Sequence, residues 1–423
     1  METLLDALIV ARLRRGSAGP LSERTGTLLL DAGSAGRWTI ELQQGRAGVR
    51  RGSVPHPTAT VRASPEVLAA VIDGQTSGAE AFLAGQLTVR GDLSLAMALD
   101  GAFESPTRPA AQPRLGTAYP VGVHTAYLEA GDPTAQPVLM LHGLGATSAS
   151  LLPLVTALGR DHRVIAPDLP GHGATDAPNW KYTPAEMARW ASSLCDELAV
   201  RSAVVVGNSL GGRVALELAL LDPQRVSGLA LLCPSPAFRR LRHLVPAARL
   251  LSPSLARVPL PPPPHEAVVG AIKLMFAEPG RLPRAWYDAG ADEFRRVISQ
   301  PRHRRAFFAC LRQVYVEEAF GSRGFWERLP SVTAPALFVW GQRDRLVPAG
   351  FSRHVSTALP NSRSVVLEDC GHVPQFECPE QTEALVRSLI AEATGRPSSR
   401  AERTVGARGR RAPSRRASAS PAG

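Results

Sequence analysis

Residues Val204-Val205-Val206-Gly207-Asn208-Ser209-Leu210-Gly211-Gly212 run from a β-branched apolar stretch into a Gly-x-Ser-x-Gly turn, and from there into the helix-like Arg213 to Leu221. No other feature of the 423-residue chain restricts its fold as strongly. A strand and a helix that meet this tightly need Gly207 and Gly211 where a Cβ would clash, and the turn pushes the Ser209 hydroxyl out of the backbone. Three specified residues are a weak pattern alone, so the weight rests on the strand-turn-helix context.

A serine hydroxyl is a poor nucleophile at neutral pH and needs a base, with a third group to orient the base. Downstream, Leu337-Phe338-Val339-Trp340-Gly341-Gln342-Arg343-Asp344 is an apolar run that breaks into a loop carrying Asp344. Ser364-Val365-Val366-Leu367-Glu368-Asp369-Cys370-Gly371-His372 repeats the design with His372. Both residues follow a predicted strand, where an open parallel sheet places its active site. Upstream, Val138-Leu139-Met140-Leu141-His142-Gly143-Leu144-Gly145 also ends a strand in glycines. Such a loop brings backbone amides to a reacting carbonyl, and the expected oxyanion donors are the amides of Leu144 and Leu210. His142 reads as a structural residue that hydrogen-bonds to neighbouring loops, and Gly143, Gly207, Asn208 and Gly211 read as structural members of the motifs.

Residues 117 to 393 resemble the α/β-hydrolase superfamily. The resemblance is carried in order by the His142-Gly143 loop, Asp168-Leu169-Pro170-Gly171-His172-Gly173, the Ser209 turn, Gly341-Gln342-Arg343-Asp344 and Gly371-His372. It implies a mostly parallel sheet and a catalytic triad of Ser209, Asp344 and His372. A serine nucleophile separates the chain from epoxide hydrolases and haloalkane dehalogenases, which need a carboxylate there. The Gly-Asn-Ser-Leu-Gly-Gly turn is also similar to that of hydrolases that cleave carbon-carbon bonds in ring-fission products, although the position before the nucleophile accepts several polar residues.

Between Pro234 and Pro330 helical patterning and the prolines from Pro259 to Pro264 replace the strand-helix rhythm. A helical cap over Ser209 is expected there, and it concentrates the aromatics Phe276, Trp286, Phe294, Phe307, Phe308, Tyr315, Phe325 and Trp326. A cap excludes water and shapes the substrate pocket.

The first hundred residues differ in character. Trp38 to Leu42 and Thr58 to Ala63 alternate apolar and polar as half-buried antiparallel strands do. Ser64, Pro65 and Glu66 open an amphipathic helix through Ile72. Leu83 to Asp92 reads as a Gly-bounded strand and Leu93 to Phe103 as a helix. The Ala-Thr-Val strand and the Leu-x-Gly-x-Leu-x-Val-x-Gly-Asp segment resemble the sterol-carrier-protein type of lipid-binding domain. That resemblance implies a small α+β domain, residues 1 to 105, with an apolar tunnel for a fatty-acyl or sterol-like ligand. The alternative is a domain that only packs against its neighbour or mediates assembly.

The expected organisation is therefore this domain, a Pro-rich linker at 106–120, a hydrolase domain at 121–393 with its cap at 234–330, and a tail at 394–423. Net charge is +11, and eight arginines against one glutamate in residues 396–423 supply seven of those charges. With almost no large apolar residue, that tail cannot offset its ordering entropy and is expected to be disordered. It lacks aromatics to stack bases, so no nucleic-acid partner is expected. The five cysteines are odd in number and show no Cys-x-x-Cys spacing, which implies neither a disulfide framework nor a zinc site. No metal or organic cofactor is expected.

Met1-Glu2-Thr3-Leu4-Leu5-Asp6 puts acids where a secretory signal needs bases, and no apolar run reaches the length of a membrane span. A cytoplasmic location follows as the expectation. Arginine outnumbers lysine 46 to 2, as in the products of high-GC bacterial genomes. The chemistry expected is a serine hydrolase acting on a lipophilic ester or thioester. Carbon-carbon hydrolysis, or lipid binding by a chain with a degenerate hydrolase domain, are the alternatives.

Overall fold

A computed structural model describes residues 2–13, 25–43, 46–97, 99, 103, 111–235, 261–316, 324–360 and 362–395. The Arg-rich tail lies outside the described residues, as do 236–260 within the expected cap.

Two sheets organise the chain. The first contains β1 (Gly26–Asp31), β2 (Arg37–Gln43), β3 (Arg46–Arg51), β4 (Ala59–Ala63) and β5 (Leu87–Gly91) in the order β3-β2-β1-β4-β5. It is mixed. The β1-β4 pair is parallel, whereas β4 pairs antiparallel with β5. Helix Pro65–Asp73 crosses between β4 and β5, capped by Ser64, whose side chain accepts from the Val67 amide. The expected strand from Leu83 starts later, at Leu87, because Ser77 and Glu80 form a reciprocal capping box that extends a helix over Gly78–Leu83.

The second sheet contains β6 (Arg114–Ala118), β7 (Thr125–Ala130), β8 (Pro137–Leu141), β9 (Arg163–Pro167), β10 (Ala203–Asn208), β11 (Val226–Leu232), β12 (Ala336–Gly341) and β13 (Arg363–Leu367). Their order is β13-β12-β11-β10-β8-β9-β7-β6. Every pair from β13 through β9 is parallel, and β7 and β6 close one edge antiparallel. Strands β10 and β12 are buried at every residue, as expected of parallel strands covered on both faces by helices. Of the residues 106–120 expected as a Pro-rich linker, 106–110 lie outside the described residues, and Arg114–Ala118 form β6. Pro113 precedes it and, among the described residues, only β7 pairs with it, so an edge strand forms where proline punctuation suggested none.

Helices His265–Lys273, Arg284–Ser299, Pro301–Val316 and Phe325–Arg328 occupy the described part of the segment between β11 and β12. No helix among the described residues is long and apolar enough to cross a membrane.

Candidate active site

The carboxyl ends of the parallel strands carry the candidate residues. β8 ends at Leu141 and leads into His142 and Gly143, β10 ends at Asn208 before Ser209, and β12 and β13 lead into the loops of Asp344 and His372. Parallel strands in register end together, so side chains far apart in sequence meet on one side of the sheet.

Ser209 sits at φ 51°, ψ −114°, a conformation that an L-residue adopts only under strain. Its backbone is held from three sides. Its amide donates to Leu232 O at 3.0 Å, and its carbonyl accepts from Arg213 N at 3.1 Å and Ser235 N at 2.9 Å. The glycines are compulsory. A Cβ on Gly211 would meet Leu141 O at 2.1 Å, and one on Gly207 would meet the Gly211 carbonyl carbon at 2.6 Å. Leu210 opens helix Leu210–Leu221 directly behind the serine. Gly143 lies against Ser209, since a Cβ there would stand 3.4 Å from the serine Cβ, and Leu144 follows it on the wall of the same cavity.

His372 Nδ1 donates to Asp344 Oδ2 at 2.7 Å, both residues being buried. The other oxygen, Asp344 Oδ1, accepts from the amides of Leu346 and Val347 at 2.8 Å each, which fixes the carboxylate plane. Asn208 joins the serine turn to the histidine loop: its Nδ2 donates to Leu232 O at 3.0 Å and to His372 O at 3.2 Å.

His142 uses both ring nitrogens on backbone groups. Nδ1 donates to Gly143 O at 2.8 Å and Nε2 accepts from Leu169 N at 2.8 Å. Complete burial pushes its pKa down to about 4, and the edge-on neighbour His172, also buried, to about 3.

Two residues that matter here escaped the sequence reading. Cys233 follows β11 with its thiol against Asp344, and burial together with that carboxylate raises its pKa well above the usual thiol value. Its signal was its position, one residue past a strand of the same sheet. Cys233, Asp344 and His372 present ligating atoms within 4.8 Å of one another, the one such cluster among the described residues. Asp344 and His372 are already hydrogen-bonded to each other within that cluster. Glu377 is the second. Its Oε1 accepts from Gly371 N and its Oε2 from Ala277 N, each at 2.7 Å, while His372 N donates to Met275 O at 2.7 Å. The histidine loop is thereby sewn to the cap.

Ser209 and His372 face one cavity of about 610 Å³, roofed by Phe276, Phe294 and Phe307. That size suits a small-molecule substrate, and the walls are mostly apolar with a few polar groups, as ligand sites are.

The alpha/beta hydrolase fold family model matches residues 136–379. The chain belongs to the α/β-hydrolase family. The SCP-2 sterol transfer family model matches residues 12–104, so this hydrolase carries an N-terminal domain of that family. It is 29% identical over 301 residues to the dihydrolipoyllysine-residue acetyltransferase component of an acetoin cleaving system from Cupriavidus necator, covering 68% of this chain and 73% of that protein. It is also 29% identical over 266 residues to 2-hydroxymuconate semialdehyde hydrolase of Pseudomonas putida, covering 61% and 88%. Among solved structures, a membrane phospholipase A described as a bacterial virulence factor superposes with a TM-score of 0.56 at 25% identity, covering 67% and 88%. Relatives this varied share a fold more than a substrate.

Proposed function

We propose that the hydrolase cleaves a carboxylic ester or thioester of a lipophilic substrate through an acyl-enzyme. The observation that carries this reading is the buried 2.7 Å His372–Asp344 hydrogen bond beside a serine held at positive φ on the same cavity. In the first half-reaction His372 Nε2 takes the Ser209 proton as Oγ attacks the carbonyl carbon. Asp344 holds the imidazole with Nδ1 protonated and stabilises the imidazolium that forms. The oxyanion is received by the Leu144 and Leu210 amides, each worth about 3 to 4 kcal/mol in the transition state. Collapse expels the alcohol or thiol, which leaves with the proton from His372. Water, deprotonated by the same Nε2, then attacks the acyl carbonyl, and the acid departs as Ser209 recovers its proton. Apolar walls favour a lipophilic acyl or alcohol portion, and the N-terminal domain is proposed to bind a fatty-acyl or sterol-like ligand.

The test is hydrolysis of p-nitrophenyl esters from acetyl to palmitoyl, with fluorophosphonate labelling, by the parent and by Ser209→Ala. The reading expects both signals in the parent and neither above background in the variant. Absence of labelling in the parent sinks it in favour of a binding protein.

A second reading has its own support. Asn208 precedes the serine as in hydrolases of ring-fission products, and the similarity to 2-hydroxymuconate semialdehyde hydrolase points the same way. Labelling of Ser209 without ester turnover, together with cleavage of a vinylogous diketo acid, decides for it.

A further inference from the structure

The cavity that holds Ser209 is not enclosed by the hydrolase domain alone. Phe82 and Leu93, both from the N-terminal domain, line it together with cap residues. Phe82 lies in the last turn of helix Gly78–Leu83, and its ring stacks on Trp286 of the cap with centroids 5.7 Å apart and planes 18° from parallel. The Trp286 indole donates to Phe82 O at 3.0 Å, and its ring meets Phe376 edge-on at 5.4 Å. Phe376 lies four residues past His372. A continuous apolar path therefore runs from the histidine loop to the N-terminal domain.

Leu93 is fixed by a buried polar latch. Its amide donates to Glu293 Oε2 at 3.1 Å, and Arg296 donates to both oxygens of the same carboxylate, at 3.0 and 2.6 Å. Arg296 also reaches Asp92 Oδ2 at 3.6 Å and Gly173 O at 3.4 Å, so one guanidinium touches the N-terminal domain and the loop of the Asp-Leu-Pro-Gly-His-Gly motif. Asp92 caps the helix that starts at Leu93 by accepting from Leu95 N at 2.8 Å. Next to the latch, Arg90 Nε and Gly91 N donate to Asp292 Oδ2 at 2.6 and 3.1 Å. Glu293 is only 3% exposed, so breaking the latch would strand a buried charge. A docking held this way is a fixed part of the site and not a loose tether.

We infer that the N-terminal domain forms a wall of the catalytic cavity and that Phe82 and Leu93 set the length of the straight apolar chain the site accepts. This deepens the ester-hydrolase reading and rests on it for the identity of the reaction. The wall itself is a statement about space, which binding can report without turnover. A fused carrier domain would then act on selectivity by contact, at the point where substrate is held.

The experiment uses the full chain with Leu93→Trp, which fills space, and Phe82→Leu, which frees it while keeping an apolar residue under Trp286. Three quantities are read: kcat/KM across p-nitrophenyl esters of increasing acyl length, the rate of Ser209 labelling by an ethyl fluorophosphonate, and displacement of anilinonaphthalene sulfonate by straight-chain fatty acids from Ser209→Ala with and without each change. Labelling by the small probe is read beside turnover, so that a change confined to long acyl chains is told apart from a general loss of Ser209 reactivity. Leu93→Trp is expected to move the optimum to shorter acyl chains, lowering kcat/KM for the longest productive ester by about tenfold or more, chiefly through KM. Phe82→Leu is expected to move the optimum to longer chains. If the parent turns over esters and neither variant shifts the length profile, the wall is disproved and the esterase reading stands. If the parent neither labels nor turns over, the esterase reading fails, and the displacement series decides the wall: a shifted profile supports it and an unshifted one overturns it.

Discussion

Ser209 occupies a backbone conformation that suits glycine better than serine, so the proposed nucleophile is held at a cost to stability. Ser209→Gly is expected to raise the melting temperature above that of Ser209→Ala, because relief of about 1 to 3 kcal/mol of strain exceeds the roughly 1 kcal/mol entropic cost of glycine. Thermal melts of the two variants side by side check this. Asp344 offers a sharper case. Its Oδ1 already accepts two backbone amides, so in Asp344→Asn the oxygen must stay there and the new NH₂ must face His372. That NH₂ would donate to Nδ1 and drive the imidazole proton onto Nε2, the nitrogen that should accept from Ser209. Turnover is expected to fall by about 10⁴-fold with the fold intact. Activity within tenfold of the parent would place the orienting acid elsewhere.

At the scale of elements, Thr183 and Glu186 form a reciprocal capping box at the start of helix Pro184–Glu197, with Pro184 at its first position. Thr183→Ala is expected to lower unfolding free energy by about 1 kcal/mol and to leave kcat unchanged, as measured by denaturant unfolding and steady-state assay. Caps and apolar runs of this kind were legible in the sequence. The 203–208 strand, the turn glycines and the strands ahead of Asp344 and His372 were read from single stretches of chain. Other elements were not. β1 is Gly-Thr-Leu-Leu-Leu-Asp, with no alternation to mark it, and β3 is Arg-Ala-Gly-Val-Arg-Arg, whose charge hides an edge strand. The parallel pairing of β1 with β4 and the mixed character of the first sheet depend on which strands become neighbours, and a local pattern carries no such information. The site divides likewise. Ser209, Asp344 and His372 stood out because each follows an apolar run, whereas Cys233 and Glu377 gain meaning only from what the fold brings to them.

At the scale of the whole molecule, the buried histidines His142 and His172 make themselves felt in global stability. His142 and His172 have pKa values near 4 and 3 in the folded chain because burial disfavours the charged ring. The unfolded chain protonates them near 6.5, so between pH 6.5 and those values the unfolded state binds more protons and stability is lost as pH falls. Each histidine contributes about 1.4 kcal/mol per pH unit in that window. Glu293 and Glu377, whose carboxyls burial pushes upward, act in the opposite sense. The histidine contribution is therefore read by difference: His172→Gln is expected to lose less stability than the parent between pH 6.5 and 4 in urea titrations, and equal slopes would contradict the assignment.

The stitching of the histidine loop to the cap through Glu377 and Met275 has a consequence for exchange of parts. The cap helices lie in one stretch of chain between β11 and β12, so they could be exchanged as a block. Here a donor cap would need to present an acceptor carbonyl where Met275 stands and a donor amide where Ala277 stands. Without them the transplant would arrive with His372 displaced, and a change in pocket shape would be confounded with a change in the position of the proposed base.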